Sequence, residues 1–139
     1  SLITNPDWTL QNLIAESLRL ENPFQYCARI LNEDFEFEGH FIEKGSRVMC
    51  FVSAANRDPN VFDEPELFKK RHNSTKHLAY GAGKHFCPGS RIANKVLEHF
   101  YRCLSQGLGD QQVSMKSVRW NKGFGYRYIE ELIISLNGV

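Results

Sequence analysis

A mixed α and β (α+β) class follows from three features of the sequence. Two stretches carry apolar residues at helical spacing, short alternating segments lie between them, and two β-rich segments joined by a glycine turn close the chain. The 139 residues are 42% hydrophobic and 24% charged with a formal charge of +1, which predicts a single domain over 1–139 with an ordinary core. A chain so nearly neutral, without aromatic-basic alternation, argues against a nucleic-acid partner. No apolar run reaches the length of a membrane span, and "SLITNPDW" lacks both halves of a signal peptide; the expectation is a soluble, cytoplasmic protein without membrane contact. Cys27, Cys50, Cys87 and Cys103 form no C-x-x-C pair, so neither a zinc ribbon nor a disulfide scaffold is favoured, and three of them are expected to fill core space.

The first helix has a start signal in Asn5 as cap, Pro6 in the first helical position and Asp7 at the positive end of the dipole. Leu10, Leu13, Ile14 and Leu18 then recur at helical spacing, and Pro23 stops the helix. Glu16 and Arg19 share a face three residues apart, which by spacing alone describes a solvated surface pair. From Gln25 to Val52 the pattern is that of a small meander: "FEFEGHF" alternates, "EKGS" turns the chain, and the apolar run "VMCFVSAA" follows. "NRDPNVFDEPELF" reads as loop. A second helix begins after Cys87 with Pro88 in its first turn, carries the apolar stripe Ile92, Val96, Leu97, Phe100 and Leu104, and ends at Gly107. "VSMKSVRW" and "YIEELIISL" are strands around the turn "NKGFG".

The stretch "YGAGKHFCPGSRIA", residues 80–93, bends a glycine-rich backbone around one thiol just before that second helix. A thiol there feels the partial positive charge of the helix N-terminus, which favours its anion, so Cys87 has the character of a nucleophile or a metal ligand. A cysteine protease needs a histidine base with an orienting partner, and His85, two residues away on the same loop, is poorly placed for that. A zinc site needs three or four ligands, and His72, His77, His85 and His99 fall in no common spacing.

Tyr80 to Gly89 resembles the haem-binding loop of the cytochrome P450 family, Phe-Gly-x-Gly-x-His/Arg-x-Cys-x-Gly, with Tyr80 as the one conservative departure. Glu16-Ser17-Leu18-Arg19 resembles the family's E-x-x-R helix motif, and "AANRDPNVF" at 54–62, with Asn56 and Arg57, resembles the phrase after the small sheet of bacterial-type members. The three occur in the family's order. The resemblance implies the C-terminal part of a cytochrome P450 fold, with E-x-x-R helix, small sheet, cysteine loop, long helix and terminal hairpin. It implies haem b (iron protoporphyrin IX) as cofactor of the whole enzyme, with Cys87 as the axial ligand of the iron. Tyr80, Gly81, Gly83 and Gly89 would lie beneath the porphyrin, with N–H groups tempering the sulfur, and His85 and Arg29 would bind propionates. Glu16 and Arg19 become part of a buried structural network whose third, basic position falls on Leu67, unless Arg71 or His72 closes it.

The resemblance covers only the C-terminal portion of a family member. Counterparts of the oxygen-activating central helix, of the N-terminal propionate ligands and of most of the substrate pocket are missing, so no catalytic residue is assigned and the isolated segment is expected to be inactive. As part of a whole enzyme it implies a monooxygenase inserting one oxygen atom from O2 into a small organic substrate. The alternative is a truncated, non-catalytic relative, a haem-binding or protein-interaction module. Expected partners are the missing N-terminal half or a second copy of the chain, because the lost helices leave apolar surface bare. An acidic ferredoxin-like or flavin electron donor is the third: residues 67–97 hold Lys69, Lys70, Arg71, Lys76, Lys84, Arg91 and Lys95 and no acidic residue, on the proximal side.

Overall fold

The computed structural model describes residues 8–109 and 111–137. Helix α1 (Leu10–Leu20) is its centre. Thr9 caps it, its side chain accepting the Asn12 N–H at 3.1 Å, and Glu21 closes it with an N–H donated to the Ser17 carbonyl. The helix thus starts four residues later than Pro6 predicts; Asn5, Pro6 and Asp7 lie outside the described residues. Its buried face carries Leu13, Ile14 and Leu20 together with Glu16 and Arg19.

The strands are nested rather than arranged as a meander. β1 (Cys27–Ile30) pairs antiparallel with β4 (Arg47–Cys50), Cys27 opposite Cys50, and encloses the hairpin of β2 (Phe35–Phe37) and β3 (His40–Ile42). Alternation in "FEFEGHF" identifies the inner hairpin correctly, but nothing in so local a pattern says that the outer strands bypass it to find each other. The run "VMCFVSAA" divides, its first half ending β4 and its second forming the short helix α2 (Val52–Ala55). Helix α3 (Ser90–Leu108) follows the cysteine loop, with Gly89 as N-cap and Pro88 ahead of it; it runs through Gly107 and stops at Gly109, whose φ of +53° needs a glycine. β5 (Gln112–Trp120) and β6 (Ile129–Asn137) form the closing ribbon. The ribbon is tied to the chain before β1: Gln25 donates to the Gly125 carbonyl, Arg127 to that of Pro23, and the rings of Phe24 and Tyr126 lie 5.0 Å apart.

The core departs from the ordinary one expected. Among the described residues only Leu13, Ile14, Ala15, Leu20, Val52 and Phe62 are buried apolar side chains, against seven buried polar or charged ones. Cys50 and Cys103 are exposed and Cys27 half-buried, so the cysteines do not fill it. The α3 stripe is bare, with Ile92 72%, Val96 61% and Phe100 54% exposed.

Glu16 and Arg19 are fully buried, not a surface pair. Arg71 closes the network: Glu16 accepts from Arg19 Nε and Nη2 at 2.9 and 2.8 Å, from Arg71 Nε at 2.9 Å, and from the Lys69 N–H and Ser74 Oγ, each at 3.3 Å. The two guanidiniums spend their remaining donors on loop carbonyls, Arg19 on Asn56, Pro65 and Leu67, Arg71 on Asp63, Glu64 and Leu67. Leu67 therefore serves through its backbone what its side chain cannot. Burial pushes the Glu16 carboxyl up, but the donors from Arg19, Arg71 and the Lys69 amide outweigh it and hold the group below its ordinary 4.5.

Replacing Glu16 by Gln leaves two buried guanidiniums without a counter-charge and is expected to destabilise the chain by about 3–5 kcal/mol in urea unfolding. The lowered carboxyl adds stability that is complete above the ordinary value of 4.5 and is lost as pH falls through its folded value. His77, held below its ordinary 6.5 first by burial, acts in the same direction at higher pH. Unfolding free energy measured against pH should decline on acidification from near 6.5, and the part due to Glu16 should be absent from the Glu16→Gln variant.

Candidate functional site

Loop 80–89 connects the buried network to α3. Asn56, fully buried, supplies its carbonyl to Arg19 and its Oδ1 to the Leu78 N–H at 2.7 Å, two residues before the loop opens. The Cys87 N–H then returns to the Tyr80 carbonyl at 2.8 Å, closing the loop on itself. Gly81 and Gly83 sit at φ +72° and +64°, the left-handed region that lets the chain reverse within this span. Gly83 to His85 form a single 3-10 turn. A Cβ on Gly89 would come 3.8 Å from Cys87 Sγ, so that side of the sulfur is kept free of bulk.

Cys87 is half-buried, two residues ahead of the α3 N-cap. It lines a cavity of about 650 Å³ whose walls are mostly apolar, from Leu18 of α1, Val52 of α2, Leu78 and Ala79 before the loop, and Val96 and Leu97 of α3. Arg29 of β1 and His85 of the loop are the cationic or potentially cationic members of the same lining. Both are exposed, and the Arg29 guanidinium otherwise donates only to the Ala28 carbonyl at 2.9 Å. Cys27 also lines this cavity, which thus brings together two thiols, apolar walls and two donors for anions, groups that fit a largely apolar ligand with acidic edges and an atom that a thiolate can ligate.

Sequence positions 29, 80, 81, 85 and 87 thus meet at one cavity, although Arg29 lies far from the loop in the chain. Four amides of the loop and its exit donate to carbonyls, Gly81 to Leu78, Phe86 to Gly83, Cys87 to Tyr80 and Ser90 to Cys87. Asn56 and Arg57 act at a distance from the cavity: Arg57 binds Glu66 at 3.1 Å and the Leu20 carbonyl at 2.8 Å, holding α1 to the loop that follows α2. Among the described residues no three His, Cys, Asp or Glu groups gather as a metal cluster. Two contributors had no signal in the sequence. Ser74 reaches Glu16 from a 3-10 turn, and Asn94 of α3 accepts the Tyr80 hydroxyl at 3.0 Å.

The fold places the half-buried Cys87, just ahead of a long helix, in the wall of a mostly apolar cavity. Comparison with known proteins names the family. Residues 9–104 match the family model for cytochrome P450. Over 131 residues the chain is 34% identical to the biotin biosynthesis cytochrome P450 of Bacillus subtilis, covering 94% of this chain and 33% of that protein. It is 31% identical to the polyketide biosynthesis cytochrome P450 PksS of the same organism, covering 89% and 31%. The crystal structure of P450BioI in complex with a hexadec-9Z-enoic acid ligated acyl carrier protein superposes with a TM-score of 0.87 at 33% identity, over 98% of this chain and 35% of that one. The chain belongs to the cytochrome P450 family, and its fold is that of a portion of a P450. It spans about a third of the length of the curated relatives it matches.

At Gly83 an added Cβ meets nothing within 4 Å, so the cost of Gly83→Ala is backbone strain alone. It is expected to lower unfolding stability by about 1–2 kcal/mol without new clashes, measured by chemical denaturation.

Proposed function

We propose that this chain is the C-terminal, haem-ligand portion, one domain over 1–139, of a cytoplasmic, soluble bacterial-type monooxygenase that inserts one oxygen atom from O2 into a small organic substrate. The observation carrying this reading is the placement of Cys87 in an apolar cavity that also receives Arg29 and His85. When bound, haem b would supply oxygen activation, favoured by a strongly donating thiolate. This chain's own residues would hold and orient it: Cys87 would ligate the iron through its thiolate, and Arg29 and His85 would pair with the propionates. Gly81, Gly83 and Gly89 would keep the loop close to the cofactor, with Tyr80 against it. Glu16, Arg19, Asn56 and Arg57 would fix the loop from behind without touching the cofactor. The substrate, and the residues that would handle oxygen and protons, belong in this reading to the remainder of the enzyme.

A second reading, a non-catalytic haem-binding or interaction module, is favoured by one observation, the bare stripe of Ile92, Val96 and Phe100 on α3. In the first reading the same stripe is covered by the rest of a P450; in the second, by another copy or another protein. Haem titration followed by reduction under carbon monoxide, then substrate-dependent electron consumption, separates the two. Electron consumption by this chain alone would overturn both the expected inactivity of the segment and the module reading.

Cys87→Ser or Cys87→Ala should remove the thiolate signature of the reduced carbonyl spectrum, while substitution of Cys27, Cys50 or Cys103 leaves it in place. Persistence of the signature in either Cys87 variant would sink the assignment.

Electron delivery is proposed from an acidic ferredoxin-like or flavin donor docking beside the loop. The basic window is less uniform than its composition: Lys69 is paired with Asp63 and Glu64, Lys95 with Glu98, and Arg71 is buried. Lys70, Lys76, Lys84 and Arg91 are the exposed cations that remain for docking. Lys84→Glu with Arg91→Glu, in the assembled enzyme, should slow reduction by such a donor about tenfold at low salt and leave dithionite reduction unchanged. An unaltered donor rate refutes the docking role.

A further inference from the structure

Tyr80 borders two cavities at once. On one side is the apolar cavity of Cys87; on the other is a smaller one of about 300 Å³ between α1, α3 and the loop, lined by Ile14, Ala15 and Phe86 as well as by Thr75, Asn94 and Glu98. Of the described residues around the two cavities, Tyr80 alone is common to both, so it stands between them. The ring is packed edge-on to Phe86, centroids 6.4 Å apart, and tilted against His77 at 5.8 Å.

It is also held at two points. Its carbonyl accepts the Cys87 N–H at 2.8 Å, and its hydroxyl donates to Asn94 Oδ1 at 3.0 Å. Asn94 stands in the second turn of α3, the helix that begins three residues after Cys87. Backbone and side chain of one residue therefore close a ring, Cys87 to Tyr80 to Asn94 and back along α3. A phenylalanine could fill the same space but could not make the second tie.

We propose that Asn94 is a positioning residue for Cys87, acting through the Tyr80 hydroxyl to lock the loop. The proposal rests on the reading of the cysteine loop as the functional site. Asn94 touches neither thiol nor ligand in this scheme; what it sets is how often the Tyr80 carbonyl releases the Cys87 amide.

Hydrogen exchange on the whole 139-residue chain, without haem, tests this. Asn94→Leu keeps the bulk and removes the acceptor, Tyr80→Phe removes the donor, and Asn94→Asp keeps an acceptor at the same reach. In Asn94→Leu and in Tyr80→Phe the Cys87 amide should exchange about fivefold faster, the change expected when one hydrogen bond is lost from a local opening. Asn94→Asp should stay near the parent rate, and the α1 amides, such as that of Leu13, should not change. Unchanged Cys87 exchange in Tyr80→Phe, equal acceleration in Asn94→Asp, or acceleration of α1 to the same degree would each overturn the proposal. Tyr80→Phe carries the test by itself if Asn94→Leu fails to fold. Failure of the parent chain to bind haem would count against the proposed function and leave this exchange result standing.

Discussion

The carboxylate of Glu16 is the group on which the rest of this structure depends. It sits with no exposure in the middle of α1 and gathers five donors from four residues, two of them guanidiniums. One negative charge against two positive ones would be a poor balance in a dry interior. What restores it is the loop between α2 and Ser74, whose backbone turns the carbonyls of residues 56, 63, 64, 65 and 67 inward onto Arg19 and Arg71. Residues 56–71 contain no regular helix or strand, so their shape is set by where these carbonyls must go. The network is thus a frame for irregular backbone more than a source of net electrostatic energy, and the Phe62 ring, 5.1 Å from the Arg19 guanidinium, completes its apolar side.

That frame reaches the cysteine through few steps. Asn56 is shared between Arg19 and Leu78, Leu78 accepts from Gly81 and walls the apolar cavity, and Tyr80 carries the bond from Cys87. Cys87 is placed from one side by a chain of hydrogen bonds starting at α1 and from the other by the start of α3. The glycines permit the intervening reversal but do not determine it; the amide bonds to Leu78, Tyr80 and Gly83 do.

What could be read from the sequence was what is encoded locally or in a spaced motif. The class, the cysteine loop ahead of a long helix, the closing ribbon and the family were legible because each has a short-range signature, and the E-x-x-R pair could be flagged although its spacing alone pointed to the surface. The pairing of β1 with β4 was not, since it depends on closure around an inner hairpin. The third member of the network was legible only as an alternative to Leu67, namely Arg71 or His72. Attention to side chains led to Leu67, which does take part, but by a carbonyl that no sequence pattern marks, while Arg71 comes from four residues further on. The N-cap at Thr9 and the helix end at Gly109 moved for similar reasons: a nearer hydroxyl capped α1, and Gly107 continued a helix whose following glycine takes the left-handed turn.

The distribution of polarity inverts the usual one. Buried positions among the described residues are as often polar as apolar, whereas Ile92, Val96 and Phe100 on α3 and Met115, Leu132 and Ile133 on the ribbon face outward. A helix with apolar residues at regular spacing is normally read as evidence of a core against which it packs. Here α3 meets α1 through a small contact, the hydroxyls of Ser17 and Tyr101 at 3.2 Å, and the rest of its stripe has no cover among the described residues. Among the described residues the buried interior therefore rests on the polar network as much as on apolar packing.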